Sequence, residues 1–528
     1  MFRSPFPDVD IPDVTVYDYL FASLTDEDAD RVALVDGPSG RETTFRELRA
    51  QVDAVAGALA ARGIGVGDVV GLLCPNVPAF VAVFHGILRA GATVTTVNSL
   101  YTAREVASQL RSSGARMLFT VTPLLAAGGA AADEIGLGAD DVVVLDGAEG
   151  HPSLRDLLTV GTPAPDVHVD PSTHVAVLPY SSGTTGVAKG VLLTHRNLVA
   201  NVAQTSPLLE MTPEDRVLAV LPFFHIYGLT VLLNLALVKR ARLVTMPRFD
   251  LQQFLQLVQD QGCTYLFIAP PIAVALAKHP MVAEYDLRTV HTVLSGAAPL
   301  DAALGQAVAE RLGCRVKQGY GMTEMSPVSH VIPASADLPL DSVGWTIPNT
   351  ECRLVDPATG QDIDVPAEGE SEAGELWVRG PQVMVGYLDN AQATADTLDD
   401  DGFLHTGDMA TVRADGVVTI VDRLKELIKY HGYQVAPAEL EALLLTHDDV
   451  ADSAVIGIRD EEGEEVPKAY VVLQPGRAVS GDEIIAWVAE RVAPHKKVRR
   501  VEIVEAIPKS SSGKILRRDL RAREAGRL

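Results

Sequence analysis

Tyr180 to Gly190 reads YSSGTTGVAKG, a run of small hydroxyl and glycine residues followed by Lys189. Such residues leave backbone amides open to an anion and the lysine adds a positive charge, so the stretch suits a polyphosphate. Apolar runs flank it, His174 to Pro179 before and Gly190 to Thr194 after, which places it between two strands. A Walker A loop has a different spacing and leads into a helix. The stretch therefore predicts a phosphate loop carried by strands. A Ser/Gly linker is the plain alternative, but linkers rarely hold a lysine between flanking strands.

Working outward, short apolar runs recur at Asp68 to Cys74, Ala115 to Val121, Val142 to Leu145, Arg242 to Met246, Thr264 to Ile268 and Thr289 to Ser295, alternating with helical stretches. That alternation predicts layered parallel α/β structure. One helix is marked at its start by Thr44 and Glu47, spaced as a capping box. Leu48, Val52, Val55 and Leu59 then fall on one face before Gly63. The Ala-Gly run from Leu125 to Ala132 predicts a helix end and loop. Gly63-Ile-Gly-Val-Gly67 has the look of a dinucleotide fingerprint, but it stands at a helix end before a strand, the wrong order for that fold.

From Val343 to Val421, short alternating runs such as Glu375 to Arg379 and the Asp415-Gly416 turn predict a β-rich subdomain. After Asp422 the pattern becomes a helix at Pro437 to Leu445, strands at Val450 to Ile458 and Ala469 to Leu473, and a helix at Asp482 to Val492. The expected organisation is α/β. A large N-terminal domain, residues 1–421, has layered α/β subdomains to about 342 and the β-rich part over 343–421. A small mobile α+β domain follows at 422–528.

With 528 residues the chain exceeds what one core supports. Its formal charge of -25 argues against a surface that wraps nucleic acid or an anionic membrane. Cys74, Cys263, Cys314 and Cys352 are too scattered for a C-x-x-C metal pair or a disulfide framework. The N-terminal residues form no signal peptide, and the longest apolar stretches, Gly228 to Val238 and Leu266 to Ala277, are too short to span a bilayer. These features point to a cytoplasmic protein without stable membrane insertion; a monomer or homodimer is the expected assembly. Gly526-Arg527-Leu528 only weakly matches a peroxisomal tripeptide.

Further motifs follow in a fixed order: LPFFHIYGL at Leu221 to Leu229, SGAAPL at Ser295 to Leu300, QGYGMTE at Gln318 to Glu324 and LHTGD at Leu404 to Asp408. DRLKELIKYHGYQVAPAE runs from Asp422 to Glu439 and PKSSSGKILR from Pro508 to Arg517. Together with the Tyr180 to Gly190 loop, they resemble the adenylate-forming superfamily of acyl-CoA synthetases, peptide-synthetase adenylation domains and luciferases. The resemblance covers nearly the whole chain and is strongest to the 4-coumarate–CoA and cinnamate–CoA ligase branch.

The resemblance implies an ATP site built from Ser181, Ser182, Gly183, Thr184, Thr185, Gly186, Lys189, Gly296, Ala297, Ala298, Gln318, Gly319, Tyr320, Gly321, Thr323, Asp408, Arg423 and Lys514. Mg²⁺ is assigned to Glu324 and Thr184. The residue chemistry agrees: Tyr320 offers a ring for adenine, Asp408 two oxygens for ribose hydroxyls, Glu324 a hard oxygen ligand and Lys514 a cation for the developing charge. Taken singly, Asp408 could cap a turn and Lys514 could be a solvated lysine. The resemblance further implies catalytic roles for Lys514, Lys429, Gln434 and His225, a hinge at Lys425 and coenzyme A contacts at His431 and Gly432. Lys429 alone could equally be a surface charge, and His225 a core histidine. His431 and Tyr433 replace the Lys and Phe of many plant relatives.

The implied acyl pocket comprises His225, Tyr227, Gly228, Ala297, Gly321, Met325, Pro327 and Val328, an apolar slot suited to an aryl acid. Met325 and Ser326 depart from the Ala-Gly pair common in plant coumarate ligases. The expected activity is ATP-dependent acid–CoA ligation through an acyl-adenylate, on a hydroxycinnamate or related aryl acid. Its alternative is a medium-chain fatty acyl-CoA synthetase. A luciferase-like oxygenase, a carrier-protein-loading adenylation domain and an inactive nucleotide-binding module are further rivals. The second places an Asp to pair a substrate ammonium where this chain has His225. The third should lack one of Lys189, Glu324, Asp408 or Lys514.

Overall fold

The computed structural model describes residues 1–181, 188–430, 433–460, 465–510 and 513–525, with the side chains of Tyr433, Gln434 and Ala525 outside that description. The protein is α/β, with a C-terminal domain after a large N-terminal domain.

A nine-stranded sheet is built around Arg315–Gly321, Thr292–Ser295, Tyr265–Ile268, Arg216–Ala219, Arg242–Thr245 and Val32–Asp36, in that spatial order, all parallel. Tyr265–Ile268 is buried throughout, as a central strand covered on both faces must be. Antiparallel strands close both ends: Val328–Val331 and Trp345–Thr346 at one, Glu42–Thr44 at the other.

An eight-stranded sheet has a parallel portion of Val175–Val177, Thr93–Thr96, Val69–Leu72, Ala115–Thr120 and Val142–Val144. Lys189–Thr194 joins it antiparallel, and the short strand Tyr180–Ser181 pairs back with Lys189 opposite Ser181. The phosphate-loop stretch is thus held between two strands at a sheet margin, as its flanks predict. Its residues Ser182, Gly183, Thr184, Thr185 and Gly186 lie outside the described residues.

The helix Phe45–Ala61 opens with the Thr44–Glu47 capping box, and Gly63, just past its end, has φ of 72°. The Ala-Gly stretch departs from expectation: it is all helix, Leu125–Ile135, ending at left-handed Gly136. Packing overrides propensity here. Gly128 sits against Leu73 and Leu118, where a Cβ would come within 3.2 Å of Leu73, and Ala131 and Ala132 are fully buried. The apolar stretch after Gly228 forms a wide i→i+5 helical segment, Tyr227–Asn234, continuing as Leu235–Val238.

Glu351–Val355, Gly374–Arg379, Leu404–Val412 and Val418–Arg423 form an antiparallel sheet, to which Phe2–Arg3 and Asp362–Ile363 attach. The C-terminal domain packs the helices Pro437–Leu445, Gly481–Ala489 and Arg517–Ala525 on a sheet of Val450–Arg459, Glu465–Leu473 and Arg500–Ile503. It has its own apolar core around Leu440, Leu444, Val455, Val471 and Ile484.

Candidate active site

Parallel strands all aim their carboxyl ends the same way, and ligands of open α/β sheets bind beyond those ends. Beyond Ala219 lies the segment leading to His225, beyond Ile268 the Ala269–Pro271 corner, beyond Ser295 the Gly296–Ala298 turn, and at Gly321 the turn carrying Thr323 and Glu324. Three sequence motifs and the Ala269–Pro271 corner thereby meet at one rim.

Glu324 is buried, 5% exposed. Its Oε1 accepts hydrogen bonds from Ser181 Oγ at 3.0 Å and from the Tyr387 hydroxyl at 2.9 Å. Lys189 Nζ lies 4.8 Å from the centroid of the Tyr387 ring. Both described ends of the phosphate loop therefore stand beside the carboxylate. Burial and the Glu324 charge push the Tyr387 hydroxyl far above its ordinary pKa, so it remains a donor.

Asp408 follows Gly407, whose φ of 70° suits glycine, and stands directly opposite Arg423. Arg423 Nε is 3.2 Å from Asp408 Oδ1, and the Tyr320 hydroxyl donates to Oδ2 at 2.5 Å. Tyr320 is held well above its usual pKa by burial and the Asp408 charge. The pair Asp408 and Arg423 thus reaches the ring proposed for adenine.

Lys514 arrives from the C-terminal domain. Its loop is closed by Ser510 N to Lys514 O at 2.8 Å, Gly513 N to Ser510 O at 2.9 Å and Lys514 N to Ser510 Oγ at 3.1 Å. Gly513, at φ 83°, lies against the N-terminal domain, where a Cβ would stand 3.2 Å from Pro271 and 3.4 Å from Ala269. Burial and the Arg423 charge lower the Lys514 pKa to about 8, partly offset by Asp408 and Glu324. His225 is lowered to about 4 by burial and by the Lys514 charge, so the imidazole is neutral. Its Nδ1 accepts from Tyr227 N at 3.4 Å, which leaves the proton on Nε2.

Of the residues expected to line an acyl pocket, Tyr227, Met325 and Val328 are buried in the main core. Tyr227 donates to Leu294 O at 3.2 Å, and its ring fills the space beside Gly296, where a Cβ would be 2.9 Å away. Gly228 and Gly321 press on backbone: a Cβ would be 2.1 Å from Pro222 O and 2.2 Å from Pro327 O. Ala297 turns the chain at φ 71°.

Sequence reasoning missed two residues that build this rim. Tyr387 sits in a two-residue strand with no periodicity to announce it, and only its pairing with Val191 brings it to Glu324. Asn76, buried ahead of the helix Pro78–Arg89, donates to Ala219 O at 2.9 Å and Leu221 O at 2.8 Å and accepts from Phe223 N at 2.8 Å. It fixes the segment leading to His225. Gln318 has a different task from nucleotide contact by its side chain. Its amide bonds Leu300 N at 2.6 Å, Leu340 O at 2.8 Å and Ser342 O at 3.1 Å, tying the Gly296–Leu300 turn to the sheet.

The structure does not bring every expected residue to the rim. Lys429 is exposed on the hairpin strand Ile428–Tyr430, opposite Gln434, with its backbone N bonded to Glu465 Oε2 at 2.9 Å. Lys425 is exposed in the turn closed by Glu426 N and Leu427 N on Arg423 O, at 2.9 and 3.2 Å. His431 and Gly432 lie outside the described residues.

Residues 21–388 match the AMP-binding enzyme family and residues 439–514 match the AMP-binding enzyme C-terminal domain. The chain belongs to the AMP-binding enzyme family. This AMP-binding enzyme is 42% identical to 4-coumarate–CoA ligase 5 of Oryza sativa subsp. japonica over 99% of this chain and 97% of that one. It superimposes on an anthranilate CoA ligase, AuaEII, in complex with anthranoyl-AMP with a TM-score of 0.89, 27% identity and 98% coverage of both chains. For ATP-bound MatB from Rhodopseudomonas palustris the TM-score is 0.87 at 28% identity, covering 97% of this chain and 99% of that one; apo MatB gives 0.77.

The AMP-binding enzyme holds no cluster of three or more His, Cys, Asp or Glu among the described residues that could bind a metal unaided. Glu324, a single buried carboxylate beside the phosphate loop, instead fits a magnesium ion that takes its remaining ligands from phosphates and water. No helix among the described residues is long and apolar enough to cross a membrane.

Proposed function

We propose that this AMP-binding enzyme activates a hydroxycinnamate or related aryl acid. The reaction class is ATP-dependent acid–CoA ligation through an acyl-adenylate, and the medium-chain fatty acyl alternative is not favoured by its relatives. The observation that carries the mechanism is the convergence of Lys514, from the C-terminal domain, with Asp408, Arg423, Glu324 and His225 of the N-terminal domain and the strand that leads out of it.

In the first half-reaction a substrate carboxylate oxygen attacks the α-phosphorus of ATP. The bond from that phosphorus to the bridging oxygen breaks and pyrophosphate leaves. Tyr320 packs against adenine, Asp408 accepts from the ribose hydroxyls, and Lys189 with the phosphate loop holds the leaving phosphates. Lys514 sets its ammonium against the carboxylate and α-phosphate as negative charge builds. Glu324 and Thr184 would hold a magnesium ion, which when bound would neutralise charge on the phosphates. Neutral His225 borders the acid beside Tyr227 and orients it without competing as an acid.

In the second half-reaction the C-terminal domain turns about Lys425, withdraws Lys514 and presents Lys429, His431, Gly432 and Gln434. The coenzyme A thiolate then attacks the acyl carbon, the C–O bond to AMP breaks, and the thioester and AMP leave. Higher similarity to ATP-bound than to apo MatB supports reading the present arrangement as the one for the first half-reaction.

The test is CoA-dependent AMP formation with ATP and Mg²⁺ across cinnamate, 4-coumarate, benzoate and straight-chain acids. Aryl acids are expected to give the thioester at the highest kcat/KM. Preference for a straight-chain acid overturns the substrate assignment, and adenylate that coenzyme A never accepts overturns the ligase reading.

A further inference from the structure

Asp422 and Arg423 are neighbours on one strand, so their side chains leave opposite faces. Arg423 turns to Asp408 and the nucleotide side. Asp422 turns to the C-terminal domain, is 6% exposed, and is absent from every role assigned above. Its Oδ1 accepts from Arg423 N at 2.6 Å and its Oδ2 from Ala438 N at 2.9 Å. Ala438 is in the first turn of the helix Pro437–Leu445, whose own N-cap, Ala436, has no side chain to offer. The helix is therefore capped in trans, by a carboxylate on the far side of the Lys425 turn, where an anion also meets the positive end of the helix dipole.

The same helix carries Glu441, which takes Arg517 Nη2 at 2.6 Å, while Arg517 Nε donates to Val455 O at 3.2 Å. Arg517 stands three residues beyond Lys514 and also attracts Asp422. Glu441, Val455 and Arg517 belong to one domain, so their mutual contacts survive any rotation of that domain. Asp422 stays with the strand Val418–Arg423, so its bond to Ala438 and its attraction to Arg517 exist only in the present arrangement. Only an interaction that differs between two states can shift their balance.

We propose that Asp422 is a positioning residue for adenylation: by capping the helix Pro437–Leu445 across the hinge, it holds the C-terminal domain where Lys514 reaches the reacting groups. The proposal rests on the two-step ligase reading above. It assigns Asp422 no contact with substrate. Its removal weakens the first arrangement and leaves the second untouched.

The test separates the half-reactions in Asp422→Asn and Asp422→Ala. Acyl-adenylate and pyrophosphate formation is followed in single turnover without coenzyme A. Thioester formation is followed from supplied acyl-adenylate and coenzyme A. A loss of one cap and its charge is expected to slow the first about tenfold, with the second unchanged or faster. Equal losses in both, or no loss in either, overturn the proposal. Wild-type protein that forms no adenylate overturns the ligase reading instead. Asp422→Asn keeps the side-chain volume and decides the matter if the alanine variant does not fold.

Discussion

Tyr320 donates its hydroxyl hydrogen to Asp408 Oδ2 at 2.5 Å while Arg423 Nε stands 3.2 Å from Oδ1. One buried carboxylate thus joins the ring proposed for adenine to Arg423, two residues before the hinge proposed at Lys425. Each oxygen has a further lone pair for a ribose hydroxyl.

Asp408→Ala removes three functions together: the Tyr320 acceptor, the Arg423 partner and the ribose acceptor. Charge-assisted hydrogen bonds contribute roughly 1.5–3 kcal/mol each, so the loss of even one to ribose should raise the KM for ATP by about 10- to 100-fold. The unpaired Tyr320 hydroxyl should also lower the melting temperature. Steady-state kinetics with varied ATP, beside thermal melts, measure both. An unchanged KM for ATP would remove Asp408 from the nucleotide site.

Lys514→Ala should slow adenylation about 10²- to 10³-fold, as for the loss of one preorganised charge donor. The pH dependence follows from a pKa lowered to about 8. Below that value the ammonium is charged and active, and above it the charge is lost, so kcat/KM for ATP should fall as pH rises through about 8. Lys514→Arg stays charged and should lose that alkaline limb even where its rate is lower. A limb that persists in the arginine variant belongs to another group.

Features written locally were legible in the sequence. Thr44 and Glu47 mark their helix because both halves of the capping box lie within one turn, and Lys189 marks its loop because its flanking strands are apolar. Features that depend on partners far along the chain were not. Phe2–Arg3 is too short for any periodicity and is a strand only because Cys352 and Glu351 receive it. The helix Arg517–Ala525 is mostly charged and offers no apolar face to announce it, yet Leu520 is fully buried and Arg517 is bound to Glu441. Asn76 and Tyr387 reach the site through backbone segments more than a hundred residues away. Asp422 stands in a motif whose neighbours have expected roles, while its own partner, Ala438, is set only by the docking of the domains.

His225 predicts a pH response of the opposite kind. With its pKa pushed down to about 4, it is neutral throughout the working range and should contribute no acid limb between pH ~5 and ~8. His225→Ala should instead raise the KM for the acid about tenfold, the scale of one lost aromatic contact. Profiles of the two proteins should be parallel. An acid limb present in the wild type and absent in the variant would mean that His225 titrates during turnover.

Two glycines at the acyl end should respond differently to the same added methyl group. At Gly296 the new Cβ would meet the Tyr227 ring at 2.9 Å, and a side chain can yield. Gly296→Ala should fold with a loss of about 1–3 kcal/mol, displace Tyr227 from Leu294 O, and shift preference from aryl acids toward slimmer straight-chain acids. At Gly321 the Cβ would stand 2.2 Å from Pro327 O, a backbone atom in the turn that carries Glu324. That turn cannot move without dragging Glu324 from Ser181 and Tyr387, so Gly321→Ala should depress adenylation with every acid alike. Melting temperatures with kcat/KM across the acid panel distinguish the two. A uniform loss in the Gly296 variant would place Tyr227 outside the acid pocket.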